Sequence, residues 1–95
     1  MIKTVYFVPA AYFGDVKEFQ LMERLTRLFE DHGLIVVHNV EEAQLIIAFG
    51  NSLTPNDAYK GKKVYLADEE KAFNDSKAVL EKALKECKPY EDYLK

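Results

Sequence analysis

"VVHNVEEAQLIIAFG", Val36 to Gly50, holds two short apolar runs that each read as a buried strand, with only His38 to Gln44 between them. Ordinary parallel neighbours need a crossover of a dozen or more residues, and a two-residue hairpin needs a turn signal such as Asn-Gly, which this link lacks. Distances leave another route open. A four-residue strand is roughly 13 Å long and a place two strands over is roughly 10 Å sideways, so the return path is about 16 Å, while seven extended residues reach about 23 Å. The second and third strands can therefore both lie parallel to the first, one on each side of it; an antiparallel pair of the two is the competing arrangement.

Ile2 to Val8 (IKTVYFV), rich in β-branched and aromatic residues, reads as a central first strand covered on both faces and stopped by Pro9. Asp15 is placed to cap a helix whose apolar positions Val16, Phe19, Met22, Leu25 and Leu28/Phe29 recur at steps of three and four. His32-Gly33 ends that helix, glycine suiting the left-handed residue just past a helix end. Leu34 to Val37 is the second strand and Gln44 to Phe49 the third. Thr54-Pro55-Asn56-Asp57 carries a helix start with room for one or two turns before Gly61. Lys63 to Ala67 is the fourth strand. Asp68 opens a charged helical segment that Asn74-Asp75-Ser76 can divide, with Ala72, Phe73, Val79, Leu80, Ala83, Leu84 and Cys87 able to face the sheet; Pro89 ends it. The order β-α-β-β-α-β-α predicts a compact three-layer α/β sandwich around a four-stranded parallel sheet of order 2-1-3-4. Residues 1–95 read as one domain, with a core over 2–88 and a short tail over 89–95.

The 95 residues are 48% hydrophobic and 31% charged, ordinary for a folded protein too small to enclose a large cofactor, and no cofactor is expected. No apolar run approaches the 18 or so residues of a membrane span, and Met1 to Thr4 leads straight into the first strand without a signal-peptide pattern. The single cysteine, Cys87, has no internal disulfide partner, which agrees with a reducing cytoplasm. A net charge of −3 argues against a dedicated nucleic-acid binder, although a local basic patch remains open.

"DHGLIVVHNVEEAQLIIAFG" (31–50) and "NSLTPNDAYKGKKVYLADEEKAF" (51–73) together resemble the BRCT domain family, closest to the BRCT domains of bacterial DNA ligases. The likeness lies in the glycine turn after the first helix, the third strand ending in glycine, the small polar loop, the short helix and the acidic entry to the last helix. His32-Gly33 stands in place of that family's paired glycines, the chain has no Trp, and Pro9-Ala10 replaces the Ser or Thr and Gly used by phosphopeptide-binding members. The resemblance implies a non-enzymatic module that binds a protein partner or DNA in a DNA transaction. "VYFVPAAYFGDVKEFQLMERLTRLFEDHGLIVV" (5–37) and "VEEAQLIIAF" (40–49) are similar to the opening of nucleoside 2-deoxyribosyltransferases, which implies a minimal nucleotide-binding protein without that family's catalytic glutamate. A small homodimer is a third reading.

In a 2-1-3-4 sheet the connections diverge between strands one and three, so a ligand would sit beyond their carboxyl ends, against Tyr12, Phe13 and Gly14 on one side and Asn51, Ser52 and Thr54 on the other. Tyr12 and Phe13 could stack on an aromatic group or simply cover the core. Lys60, Lys62 and Lys63 form the densest positive cluster, a candidate contact for DNA or an acidic partner and equally a solvated turn. No catalytic set emerges. His38 with Glu41 and Glu42 lacks a metal-ligand spacing, His32 suits a helix end, Cys87 sits on an apolar helical stripe and Ser52 lies in no nucleophile turn. Tyr90 and Tyr93 either pack back or mark a dimer contact.

Overall fold

The computed structural model describes residues 2–8, 16–49 and 56–93, with side chains throughout except at 16–19 and 69. Five strands, β1 (Thr4–Val8), β2 (Ile35–Val36), β3 (Leu45–Phe49), β4 (Lys63–Ala67) and β5 (Lys88–Pro89), form one sheet of order β2-β1-β3-β4-β5. The α-helices are α1 (Val16–Asp31), α2 (Glu69–Asn74) and α3 (Ser76–Glu86), and 3₁₀ turns occupy Val40–Glu42, Asp57–Tyr59 and Tyr90–Tyr93.

Local chemistry explains most of the boundaries. Gly33 has φ +94° and completes a double hydrogen-bonded end to α1, with Leu34 N–H donating to Phe29 O (3.0 Å) and Gly33 N–H to Glu30 O (3.0 Å). Leu34 is thereby turned inward as the apolar residue of that motif, and β2 shrinks to two residues. The Asp68 carboxylate accepts from Lys71 N–H (3.1 Å) and caps α2, while Asp75, accepting from Ala78 N–H (3.3 Å), ends that helix and caps α3. The Asp15 cap and the Thr54-Pro55 helix start lie outside the described residues. Asp57–Tyr59, expected to be α-helical, form a single 3₁₀ turn, capped by Asn56, whose Oδ1 accepts from Ala58 N–H (2.9 Å).

The link from β2 to β3 returns across the sheet. β1 pairs in parallel with β2 (Thr4↔Ile35) on one side and with β3 (Val5↔Leu45) on the other, and β2 and β3 do not touch as a pair. Asn39 caps the 3₁₀ turn inside the link by accepting from Glu41 N–H (3.1 Å). Gln44 then anchors the arrival: its Oε1 accepts from Lys3 N–H (2.6 Å), and its own N–H donates to Thr4 Oγ1 (2.9 Å). The α1 connection crosses one face and this link the other, as right-handed crossovers on opposite sides of β1 require.

The α/β class holds, but the sheet is mixed and five-stranded where four parallel strands were expected. β5 runs antiparallel to β4, with Lys63↔Pro89 in register. Pro89, expected only to stop a helix, is tolerated in β5 because an edge position asks for no donor on its outer side. Among the described residues the α-helices form one layer rather than two. Leu21, Leu25 and Phe29 of α1, Ala72 of α2 and Val79, Leu80 and Ala83 of α3 all join Val5, Phe7, Leu45, Ile47 and Phe49 on one face. The other face is closed by a smaller cluster of Ala43, Ile46, Tyr59, Val64 and Tyr90. The Tyr90–Tyr93 tail packs back onto that face, Tyr93 Oη donating to Val64 O (3.0 Å) and Tyr90 Oη accepting from Asn56 N–H (2.9 Å).

Candidate functional site

β1 and β3 lie side by side and end together, Val8 opposite Ala48. Their flanking connections run to opposite faces, and in doubly wound sheets the crevice beyond such carboxyl ends is where ligands bind. Residues 9–15 follow β1 and residues 50–55 follow β3 in the chain. The expected ligand contacts Tyr12, Phe13, Gly14, Asn51, Ser52 and Thr54 all lie outside the described residues.

The lysine cluster divides into three environments. Lys60 Nζ pairs with the Asp57 carboxylate at 3.2 Å, both side chains being well exposed, so the pair contributes little. Lys62 Nζ donates to the carbonyls of Glu41 (3.1 Å) and Ala43 (2.6 Å), closing the end of the 3₁₀ turn in the β2–β3 link. Only Lys63, exposed at the start of β4, has no ion pair or side-chain hydrogen bond among the described residues. Lys62 is thus a structural tie, made across 19 positions of sequence to Ala43, which no local pattern announces.

Neither the histidines nor the cysteine belongs to the segments that follow β1 and β3. His32 follows α1 and Cys87 follows α3, and both line a groove at the amino-terminal edge of the sheet. His38 is exposed beyond β2, on the outer side of β1, and no hydrogen bond to its ring is found among the described residues. Among the described residues no group of three His, Cys, Asp or Glu side chains is arranged to hold a metal. A cavity of about 480 Å³ opens between β4, α2 and α3, but its carboxylates Asp68 and Asp75 are already occupied as helix caps.

Titration behaviour points the same way. Burial pushes the Tyr59 phenol up, Tyr6 and Tyr90 adding to the rise against a hydrogen bond with Asn56. Burial also raises Tyr65, helped by the Glu86 charge, and Tyr93, helped by Cys87 and Asp92. These phenols stay protonated at neutral pH and serve as packing groups and hydrogen bonders rather than proton-transfer groups. The Glu91 carboxylate is held below its ordinary range, first by Gly61 N–H, which donates to Oε1 at 3.0 Å, and then by its own backbone N–H. Glu91 thereby ties the tail to the turn before β4. Sequence reading missed it, the two residues standing 30 positions apart.

A protein-family model described as "PTS system fructose specific EIIB'BC N-terminal" matches residues 3–90. No curated protein and no solved structure matches the chain. The family match runs through both stretches that carry the BRCT and deoxyribosyltransferase resemblances and overturns them. The BRCT likeness falls, with its DNA-transaction setting, and so does the nucleoside 2-deoxyribosyltransferase likeness with its nucleotide ligand. DNA and a second copy of the chain both lose their support as partners. The BRCT likeness rested on a glycine after a helix, an apolar strand closed by glycine and an acidic helix entry, and the deoxyribosyltransferase likeness on a strand, a loop, a long helix and an apolar third strand, all of which parallel α/β units share for mechanical reasons.

Proposed function

The chain belongs to the family described as PTS system fructose specific EIIB'BC N-terminal, and from that membership we propose that it is a protein-docking domain of a fructose phosphotransferase system that does not itself carry the phosphoryl group. One observation carries this reading: where the chemistry-bearing side chains stand relative to the switch point. A protein that relays a phosphoryl group needs a nucleophile, typically a thiolate or an imidazole, at the mouth where its partner's group arrives. Pro9 to Asp15 and Gly50 to Pro55, the segments that follow β1 and β3 in the chain, contain neither Cys nor His. Cys87 and His32 stand at the opposite end of strands that are roughly 17 Å long. His38 follows β2 at the carboxyl end of the sheet, on the outer side of β1, and no hydrogen bond to its ring is found among the described residues.

What the crevice retains is recognition. Tyr12 and Phe13 offer flat apolar area and Asn51, Ser52 and Thr54 offer hydrogen-bonding groups, a composition suited to a protein surface. The partner in this reading is another protein of the same transfer chain, met in the cytoplasm, where the unpaired Cys87 stays reduced. Among the described residues no helix is long and apolar enough to cross a membrane.

The test is to mix the chain with the phosphorylated carrier proteins of a fructose phosphotransferase system and follow it by intact-mass spectrometry at neutral pH and by amide NMR. The expected result is no phosphoryl mass increment on the chain, together with saturable shifts that include residues 10–14 and 50–54. A phosphoryl group on any residue, His38 being the first to examine, would overturn the reading, as would the absence of any shift.

A further inference from the structure

The groove at the amino-terminal edge of the sheet lies at the other end of the molecule from the switch point and plays no part in the function proposed above. It has a volume of about 930 Å³ and is lined from five separate parts of the chain: the lead into β1, the end of α1, the lead into β2, the start of β4 and the end of α3. Its apolar wall is made by buried Leu34 with half-buried Ile2, Leu84 and Cys87. The polar lining is entirely basic: Lys3, His32, Lys63 and Lys85, all exposed, with no carboxylate among the lining residues.

That concentration runs against the chain as a whole. The sequence carries 16 Asp and Glu against 13 Lys and Arg, so setting aside the three groove lysines leaves ten cations facing the 16 acids elsewhere. Charges near helix carboxyl ends have an ordinary explanation, since cations offset the exposed carbonyls there. It accounts for His32 beyond α1 and Lys85 in the last turn of α3. It does not account for Lys3 and Lys63, which lead the two strands β1 and β4 and pair with no carboxylate among the described residues. Four basic groups converging from four elements over an apolar floor make a surface complementary to an extended segment that alternates carboxylates with apolar side chains.

We infer that this groove docks an acidic, partly apolar segment of a partner protein. Its volume fits several residues of chain rather than a single small anion, and its apolar wall gives such a segment something a phosphate backbone would not use. Cys87, the chain's one thiol, lies in the wall and reports directly on occupancy.

The experiment uses poly-L-glutamate and a glutamate–leucine copolymer as probes, with short duplex DNA as comparator. Binding is followed by amide NMR and by the rate at which iodoacetamide alkylates Cys87. The copolymer should shift residues 2–3, 32–34, 63 and 84–87, slow alkylation several-fold, bind more tightly than poly-L-glutamate and weaken as salt is raised. The combined Lys3→Glu, Lys63→Glu and Lys85→Glu variant should lose about tenfold or more in copolymer affinity, while Lys60→Glu with Lys71→Glu and Lys82→Glu should lose little. Shifts spread evenly over all the lysines, or unchanged alkylation in the wild-type chain at saturation, would overturn the inference. Tighter binding of duplex DNA at the same amides would overturn it in favour of a nucleic-acid site, and concentration-dependent shifts there without any probe in favour of a second copy of the chain. The alkylation measurement on the wild-type chain decides the matter even if the triple variant fails to fold.

Discussion

On one face of the sheet three helices deliver Leu21, Leu25, Phe29, Ala72, Leu80 and Ala83 onto Phe7 and Phe49; on the other, 3₁₀ turns and a short tail deliver Ala43, Tyr59 and Tyr90 onto Ile46 and Val64. The helical face rests on repeating local pattern, each buried side chain being one of a series at steps of three and four. The opposite face rests on single long-range ties: Tyr90 to Asn56, Tyr93 to Val64, Glu91 to Gly61, Lys62 to Ala43. Losing one member of a series leaves the rest of the helix to hold position, whereas each tie on the thin face has no understudy. The two faces should therefore fail in different ways.

The largest effect belongs to the helical core. Phe29 is fully buried and meets the Phe7 ring edge-on at 5.3 Å, so Phe29→Ala should cost about 3–5 kcal/mol and lower the urea midpoint of the whole molecule in one transition. An independent early transition of the thin face alone would break the comparison.

Tyr90, 2% exposed and edge-on to Tyr59 at 5.5 Å, is the corresponding probe of the thin face. Tyr90→Ala should cost about 2–4 kcal/mol by leaving a cavity and an unpaired Asn56 N–H, while Tyr90→Phe should cost only about 0.5–1.5 kcal/mol. Hydrogen exchange sharpens the contrast. Amides of β4, β5 and the Asp57–Tyr59 turn should lose protection in Tyr90→Ala while those of α1 keep it, and uniform loss would mean that the two faces act as one unit.

Gly33→Ala separates conformation from packing. A β-carbon there meets nothing within 4 Å, yet φ is +94°, so the expected loss of about 1–2 kcal/mol is backbone strain at the end of α1. Its thermal midpoint should fall with no change in the thin-face exchange pattern.

The smallest effect is acid-dependent. The folded Glu91 carboxyl titrates below its unfolded value, so its contribution is present above the unfolded pKa and disappears as pH falls through the folded one. The wild-type chain should exceed Glu91→Gln in thermal midpoint at pH 7, and the gap should close as pH falls below the ordinary glutamate range and through the lower folded value. A gap independent of pH would assign the tie to packing rather than charge.

These ties also mark how far the sequence could be read. The Asp68 and Asp75 caps, the Gly33 stop, the period of α1 and the apolar run of β3 are interactions within a few positions, and they could be read there. The seven-residue link's return across β1 followed from reach alone, but the Gln44 anchor joins residues 41 positions apart and has no local sign. Pro89 stops α-helices wherever it stands; only the open edge of β4 turns it into a strand residue. The candidate site divides along the same line. The switch point between β1 and β3 follows from strand order, and the residues expected there lie outside the described ones, while the amino-edge groove needs four basic groups brought together from positions 3, 32, 63 and 85. Family identity was misread because the matching patterns were those any parallel α/β unit requires, and the whole-length match over residues 3–90 weighs every position at once.

By itself, then, the sequence determined α1, the helical segment divided at Asp75, the places of β1 to β4 and that the β2–β3 link was long enough to cross β1, because propensity, capping and chain reach act over a few residues; β5 and the 3₁₀ form of Asp57–Tyr59 were not legible there. Tertiary structure alone decided that all three helices share one face, that the tail closes the other, that Lys62 is a tie rather than a free charge, and that a basic groove exists. Those outcomes depend on burial and on partners far apart in the chain, and their energies appear only when distant segments are already side by side.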